Sequence, residues 1–370
     1  MGDLTPWCRW RVRPGRAVKI WCAFLVCNTV LGALYAQVAS LPTRTISTFQ
    51  LTPAGTVRPP GRARRDADDE ADAPAMRSYP WRRAYFDEYS TLPYQYEPFL
   101  TTRVATTRGH FVNVSDGVRL SWQAPRAAGA HRPTVWFMGG STLFGLGQRD
   151  GHTIPSMVAR RAAATGHPID VVNMGVPAYT NYQEVLAFEQ MLASRPAPDV
   201  VVFYDGVNDL TVQFAWPTGQ PGVYPSDVNL SPRNPSAYAR YQEISLVHLL
   251  WRRYSPFASA PAGAAEANPK AMDDAQAVLA YYRRGLTIAK GLAARHSVRL
   301  VAFWQPARFY AGDPATRIVR AHLPAGVVDV SRIFDGRDPD DIYLDPAHTN
   351  ELGARLVADR MWPAIERQLP

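Results

Sequence analysis

Cysteine is nearly missing: the 370-residue chain carries Cys8, Cys22 and Cys27, and none after residue 27. Everything downstream can hold neither a disulfide nor a thiolate metal site, which excludes disulfide-stapled and zinc-ribbon architectures there. Lysine is almost as scarce, with only Lys19, Lys270 and Lys290 among 40 Lys+Arg. The arginines are scattered through Ala- and Pro-rich sequence, so the formal charge of +8 is a compositional bias. No basic stripe interleaved with aromatics appears, and a nucleic-acid partner is not expected. The eight histidines include no pair at helical metal-ligand spacing, so no metal is expected either. Charged residues are few at 19%, against 46% hydrophobic, a balance that suits one large globular core and excludes a disordered chain.

Long apolar runs are also few. Ile20 to Ala36 is the marked one, extendable through Val38 and Ala39 and preceded by Arg9, Arg11, Arg13, Arg16 and Lys19. It reads as an export signal, longer than most cleaved cores and at the short end for a bilayer span. The preferred reading is a single-pass anchor over 20–39, with the basic segment 1–19 in the cytoplasm and the bulk of the chain outside. Secretion after cleavage near Val38-Ala39-Ser40 competes with it. Residues 40–80, rich in Pro, Arg, Asp and Ala, read as a disordered linker. Residues 81–130 read as an N-terminal extension with a hairpin around Ser115-Asp116-Gly117.

From residue 131 to 370 the pattern is strand, loop, helix, repeated. Apolar, β-branched runs predict strands at Thr134 to Met138, Ile169 to Asn173, Val200 to Tyr204, Arg299 to Trp304 and Val327 to Val330. Helices are predicted at Ile154 to Ala164, Tyr182 to Ala193, Asp273 to Arg295 and Glu351 to Gln368, the last capped by Thr349 or Asn350. Apolar strands alternating with helices imply an α/β fold with a parallel sheet covered on both faces. Residues 212–268 interrupt the alternation and read as an insertion, a lid or a surface loop, with a short helix at Ser245 to Arg252.

In an open parallel sheet, ligands bind beyond the carboxyl ends of the strands. Four polar clusters fall there: Ser141 after Gly139-Gly140, the stretch Asn173 to Tyr179, Asp205-Gly-Val-Asn208-Asp209, and Asp345-Pro-Ala-His348. Each residue type has a task in acyl chemistry. Ser141 would attack a carbonyl carbon, and His348 would take its proton and return it to the leaving alcohol. Asp345 would hold the imidazole in the useful tautomer. The backbone N–H groups of Ser141 and Ala178 and the side-chain amide of Asn208 are candidate oxyanion donors. Gly140, Thr142, Asn173, Gly175 and Gln305 are candidate pocket residues, with Asp209 read as a cap. The glycine spacing of Gly140 to Gly145 matches a phosphate-binding loop, but Leu146-Gly147 stands where Lys-Ser or Lys-Thr should be, which excludes that reading.

These clusters resemble the four sequence blocks of the SGNH/GDSL hydrolase superfamily over roughly residues 105 to 365. Gly139-Gly140-Ser141-Thr142 resembles the first block, with Gly in place of the eponymous Asp. Asn173-Met-Gly175-Val-Pro-Ala178 resembles the second, with Ala178 where glycine is usual; Gly206-Val-Asn208-Asp209 resembles the third and Asp345-Pro-Ala-His348 the last. The resemblance implies a flavodoxin-like three-layer α/β/α sandwich with a parallel sheet of about five strands. It implies cleavage of esters with no cofactor. Phe144-Gly145 and Thr153-Ile-Pro-Ser156 look like members that act on acylated glycans of the bacterial envelope, which makes an O-acylated carbohydrate or a related ester the expected substrate. Two alternatives stand beside hydrolysis: an O-acyltransferase using the same triad, and a non-catalytic glycan-binding protein.

Overall fold

The structure, a computed structural model, describes residues 50–51, 56–58, 70–126, 131–215, 218–222, 271–308 and 311–370. Residues 1–19 and 20–39, and with them the anchor or signal reading, lie outside the described residues, as does the greater part of the 212–268 insertion. Among the described residues no helix is long and apolar enough to cross a membrane.

Strands β1 (Gln50–Leu51), β2 (Thr56–Arg58), β3 (Tyr94–Glu97) and β4 (Thr101–Val104) form an antiparallel sheet in that order. Between β2 and β3 lie a 3-10 turn at Pro74–Met76 and helix α1 (Arg82–Tyr89). The tether read through residue 80 therefore ends earlier. Ala71, Ala73 and Met76 are buried in one cluster with Tyr85, Phe86 and Phe144. The acidic composition hid this because Ala71 and Ala73 face inward while Asp72 between them is exposed.

Strand β5 (Thr107–Arg108) leads into β6 (Asn113–Ser115) and β7 (Val118–Arg119). Asp116 at φ 51° and Gly117 at φ 73° make the two-residue left-handed turn that an Asp-Gly pair favours. This hairpin does more than pack on the main domain: β7 pairs antiparallel with a main strand through Arg119 and Asn173, extending the central sheet.

That sheet is built on β8 (Thr134–Gly139), β9 (Asp170–Asn173), β10 (Val200–Asp205), β11 (Arg299–Trp304) and β12 (Val327–Asp329), all parallel, in the order β12-β11-β10-β8-β9. Helix α2 (Ser141–Phe144) follows β8 at once, and α3 (Ile154–Ala164), α4 (Asn181–Ser194), α5 (Val207–Ala215), α6 (Ala271–Arg295), α7 (Pro314–Ala321) and α8 (Glu351–Glu366) follow in turn. Side chains alternate along each strand. On β8, Val135 and Phe137 pack with α3 and α8, while Trp136 and Met138 pack with α4, α6 and α7. The result is the expected three-layer α/β/α sandwich of flavodoxin-like order. The chain direction across the sheet reverses between β8 and β10, and the loops leaving these two strands frame the crevice where such sheets bind ligands.

Candidate active site

Ser141 is the first residue of α2, a single turn that Gly145 ends at φ 99°. Strand β8 delivers it directly to the crevice. Gly140 is needed there for close approach: a Cβ on it would lie 2.5 Å from Asn208 Nδ2 and 3.3 Å from the Tyr179 carbonyl. The loop after α2 is clamped by buried Arg119, which donates to the carbonyls of Phe144, Gly145 and Gln148 at 2.6, 2.8 and 2.6 Å and pairs with Asp150 at 3.1 Å.

His348 comes from the end of the segment 330–350 that joins β12 to α8 and carries a 3-10 turn at Pro339–Asp341. Leu344 N–H donates to the His348 carbonyl at 3.0 Å, and Tyr343 bridges Thr349, so the loop closes on itself. Asn350, not Thr349, caps α8 by accepting from Gly353 N–H at 3.0 Å. Its amide donates to the Ala75 and Asp341 carbonyls at 2.9 and 2.8 Å. The cap thus pins this loop to the N-terminal turn.

The three expected groups meet in one chain of hydrogen bonds. Ser141 Oγ lies 2.7 Å from His348 Nε2, and His348 Nδ1 lies 2.6 Å from Asp345 Oδ2. Asp345 accepts from Nδ1–H, which leaves the Nε2 lone pair to take the serine proton. Burial favours the neutral imidazole, but the charge of Asp345 and its hydrogen bond outweigh this and raise the His348 pKa above its ordinary value. Burial opposes ionisation of Asp345 as well. His348 and the backbone N–H groups of His348 and Ala347 overcome it and lower the carboxyl to about 2.

The serine follows Gly140, against which the Asn208 amide stands. Its own N–H opens α2, where no carbonyl of the helix can accept it. Asn208 sits in the first turn of α5, its Nδ2 donating to the Tyr179 carbonyl at 2.7 Å. Ala178 stands at φ 70°, a left-handed conformation that favours glycine. The alanine keeps the N–H donor and bears the strain.

The candidate pocket residues divide. Thr142 Oγ1 donates to Gln305 Oε1 at 2.6 Å, joining the turn after the nucleophile to the end of β11. Asn173 and Gly175 lie beneath the crevice and are not pocket walls. Asn173 is fully buried, donates to the Leu143 carbonyl at 3.2 Å and accepts from Gly175 N–H at 3.0 Å. A Cβ on Gly175 would lie 2.4 Å from Phe144 N, so both residues seat α2 on β9. Asp209 accepts from the N–H groups of Asn181 and Gly206 at 2.9 and 3.1 Å, tying the start of α4 to the exit of β10.

Next to Asp209 lies an acid pair that sequence reading did not single out. Glu184 and Asp205 are both 2% exposed. Burial and the neighbouring carboxylates push Glu184 well above the ordinary range. Burial also raises Asp205 to about 7, despite the bonds it accepts from Glu184, Tyr282 and Asn181. Nothing local in the sequence pairs them, since Glu184 sits in the first turn of α4 and Asp205 ends β10.

No protein-family profile matches the chain, and no curated protein matches it. Solved structures do show likeness. AlinE4, described as an SGNH-hydrolase family esterase, is 16% identical over 65% of this chain and 98% of its own, with a TM-score of 0.36. A lipase/acylhydrolase from Enterococcus faecalis is 15% identical over 64% and 97%, with a TM-score of 0.39. TesA is 14% identical over 64% and 99%, with a TM-score of 0.40.

Proposed function

We propose that this chain is a serine esterase of the SGNH/GDSL type. The observation that carries the reading is the unbroken relay from Ser141 through His348 to Asp345, set beside the amide of Asn208. Ser141 Oγ attacks the acyl carbon as its proton passes to His348 Nε2. The carbonyl π electrons move onto oxygen, which the N–H groups of Ser141 and Ala178 and the Asn208 amide stabilise; one such donor is commonly worth about 3 to 4 kcal/mol in the barrier. Collapse expels the alkoxide, which takes the proton from His348. Water then repeats the sequence on the acyl-enzyme, with His348 again as base.

The substrate is an O-acylated carbohydrate, a reading supported by the Gly-Gly-Ser-Thr, Phe144-Gly145 and Thr153-Ile-Pro-Ser156 resemblances. The apolar run after the basic N-terminus supports action outside the cytoplasmic membrane. Hydrolysis of a short-chain aryl ester by the full chain, beside Ser141→Ala and His348→Ala, tests the chemistry. Equal turnover by all three would end the claim. Added acceptor glycan separates hydrolysis from transfer, because ester formation that outruns hydrolysis identifies a transferase.

A further inference from the structure

Three of the non-glycine residues with left-handed backbone, Phe99 at φ 67°, Thr101 at φ 73° and Ala178 at φ 70°, lie in two segments that side-chain hydrogen bonds join. Such strain persists only where the surroundings over-determine the conformation, and it concentrates at functional sites. The residue joining the two strained loops is Tyr179. Its hydroxyl donates to the Thr102 carbonyl on β4 at 2.8 Å, and its carbonyl accepts the Asn208 amide at 2.7 Å. Its N–H donates to the Val176 carbonyl at 3.2 Å, and its ring is buried against Leu100 and Val176. Gln183, on the next helix, donates to the Leu100 carbonyl at 3.0 Å and so holds the same hairpin tip.

A cleft of about 60 Å³, partly open to solvent, lies against the Tyr179 ring; Leu100, Val176 and three methionines line it, and Glu97, Arg103, Asp116 and Gln190 border it. Methionine side chains repack readily, so this wall offers the ring room to turn. The hydroxyl bond to the Thr102 carbonyl ties the ring to β4 on that side.

We infer that Tyr179 is a positioning residue for the oxyanion site, transmitting the fixed geometry of the β3–β4 hairpin to the Ala178 N–H and the Asn208 amide. The inference rests on the serine-esterase reading. Loss of the hydroxyl lets the loop relax toward the cleft and moves two donors away from the developing oxyanion. Those donors act mainly in the transition state, so the loss falls on kcat rather than KM.

The test is Tyr179→Phe in the full chain, alone and combined with Asn208→Ala, using the aryl ester and following the melting temperature. Tyr179→Phe is expected to lower kcat about 10-fold with KM within about twofold, part of the 100- to 1,000-fold that deleting one donor costs. In the Asn208→Ala background the same change is expected to cost about threefold or less, because one route of its action is already gone. Unchanged kcat in Tyr179→Phe overturns the inference and leaves the esterase reading standing. So does an equal loss in both backgrounds, or a loss that appears as raised KM, since general loosening would produce either. Wild-type protein without Ser141-dependent turnover removes the esterase reading and this inference with it.

Discussion

Asp345 grips His348 at both ends: Oδ2 meets ring Nδ1 at 2.6 Å while Oδ1 accepts the backbone N–H of the same residue at 2.7 Å. The carboxylate therefore sets both the tautomer and the position of the ring. Asp345→Asn is expected to lower kcat by about 1,000- to 10,000-fold, the scale seen when the third member of such a triad loses its charge. In the wild type kcat/KM should rise with pH as His348 loses its proton, with a midpoint above the ordinary imidazole value. A wild-type midpoint below that value in initial-rate measurements would contradict the arrangement.

Ala178 at φ 70° carries strain that glycine would not. The left-handed conformation costs an ordinary residue about 1 to 2 kcal/mol, of which about 0.5 to 1 is offset in Ala178→Gly by the freer unfolded chain. Ala178→Gly should hold kcat within about threefold, since the N–H donor survives. Its melting temperature should stay level or rise slightly. Ala178→Val should lose both activity and stability, because a β-branched residue fits this conformation worse. Thermal scans beside ester kinetics check the pair.

Asn208→Ala removes a side-chain donor while leaving the relay of Ser141, His348 and Asp345 intact. A drop in kcat of about 100- to 1,000-fold is expected with little change in KM. Near-normal kcat would mean that this amide only braces the Tyr179 carbonyl.

The Glu184 and Asp205 pair makes stability pH-dependent. Both carboxyls are raised in the folded chain, Asp205 to about 7, and neighbouring Asp209 is raised by burial to about 6. Groups raised above their unfolded values, near 4 for carboxyls, bind more protons when folded. Their stabilising contribution is complete below about pH 4 and is lost as pH rises through about 7. Asp345, lowered to about 2, runs the other way: its contribution holds above about pH 4 and is lost toward pH 2. The melting temperature should thus fall from pH 6 to pH 8 in the wild type, and less steeply in Glu184→Gln, whose amide donates without titrating. Parallel slopes would exclude Glu184 as a group that titrates in this range.

The five parallel strands and the long helices were legible because β-branched apolar runs and helical periodicity declare themselves locally. So were Ser141, Asp345 and His348, whose spacing after strands or before a helix follows the logic of a parallel sheet. The short helices α1, α2, α5 and α7 were not, because one or two turns carry too little periodicity to stand out. Asn173 and Gly175 occupy a sequence block that resembles an active-site loop, yet their contacts run backward into α2. Arg119 and Tyr179 were illegible for another reason. Their partners lie 25 and 77 residues away, and nothing local announces a guanidinium that clamps a loop or a phenol that anchors one.

The bond from Asn350 to the Ala75 carbonyl sets where the protein can be shortened. Excision up to Trp81 would withdraw the acceptor beneath the histidine loop and uncover the apolar floor that Ala71, Ala73 and Met76 roof over. A minimal active fragment therefore begins ahead of Glu70. Proteases trimming from the N-terminal side should abolish turnover once they pass that boundary, although Ser141, Asp345 and His348 all remain in the chain.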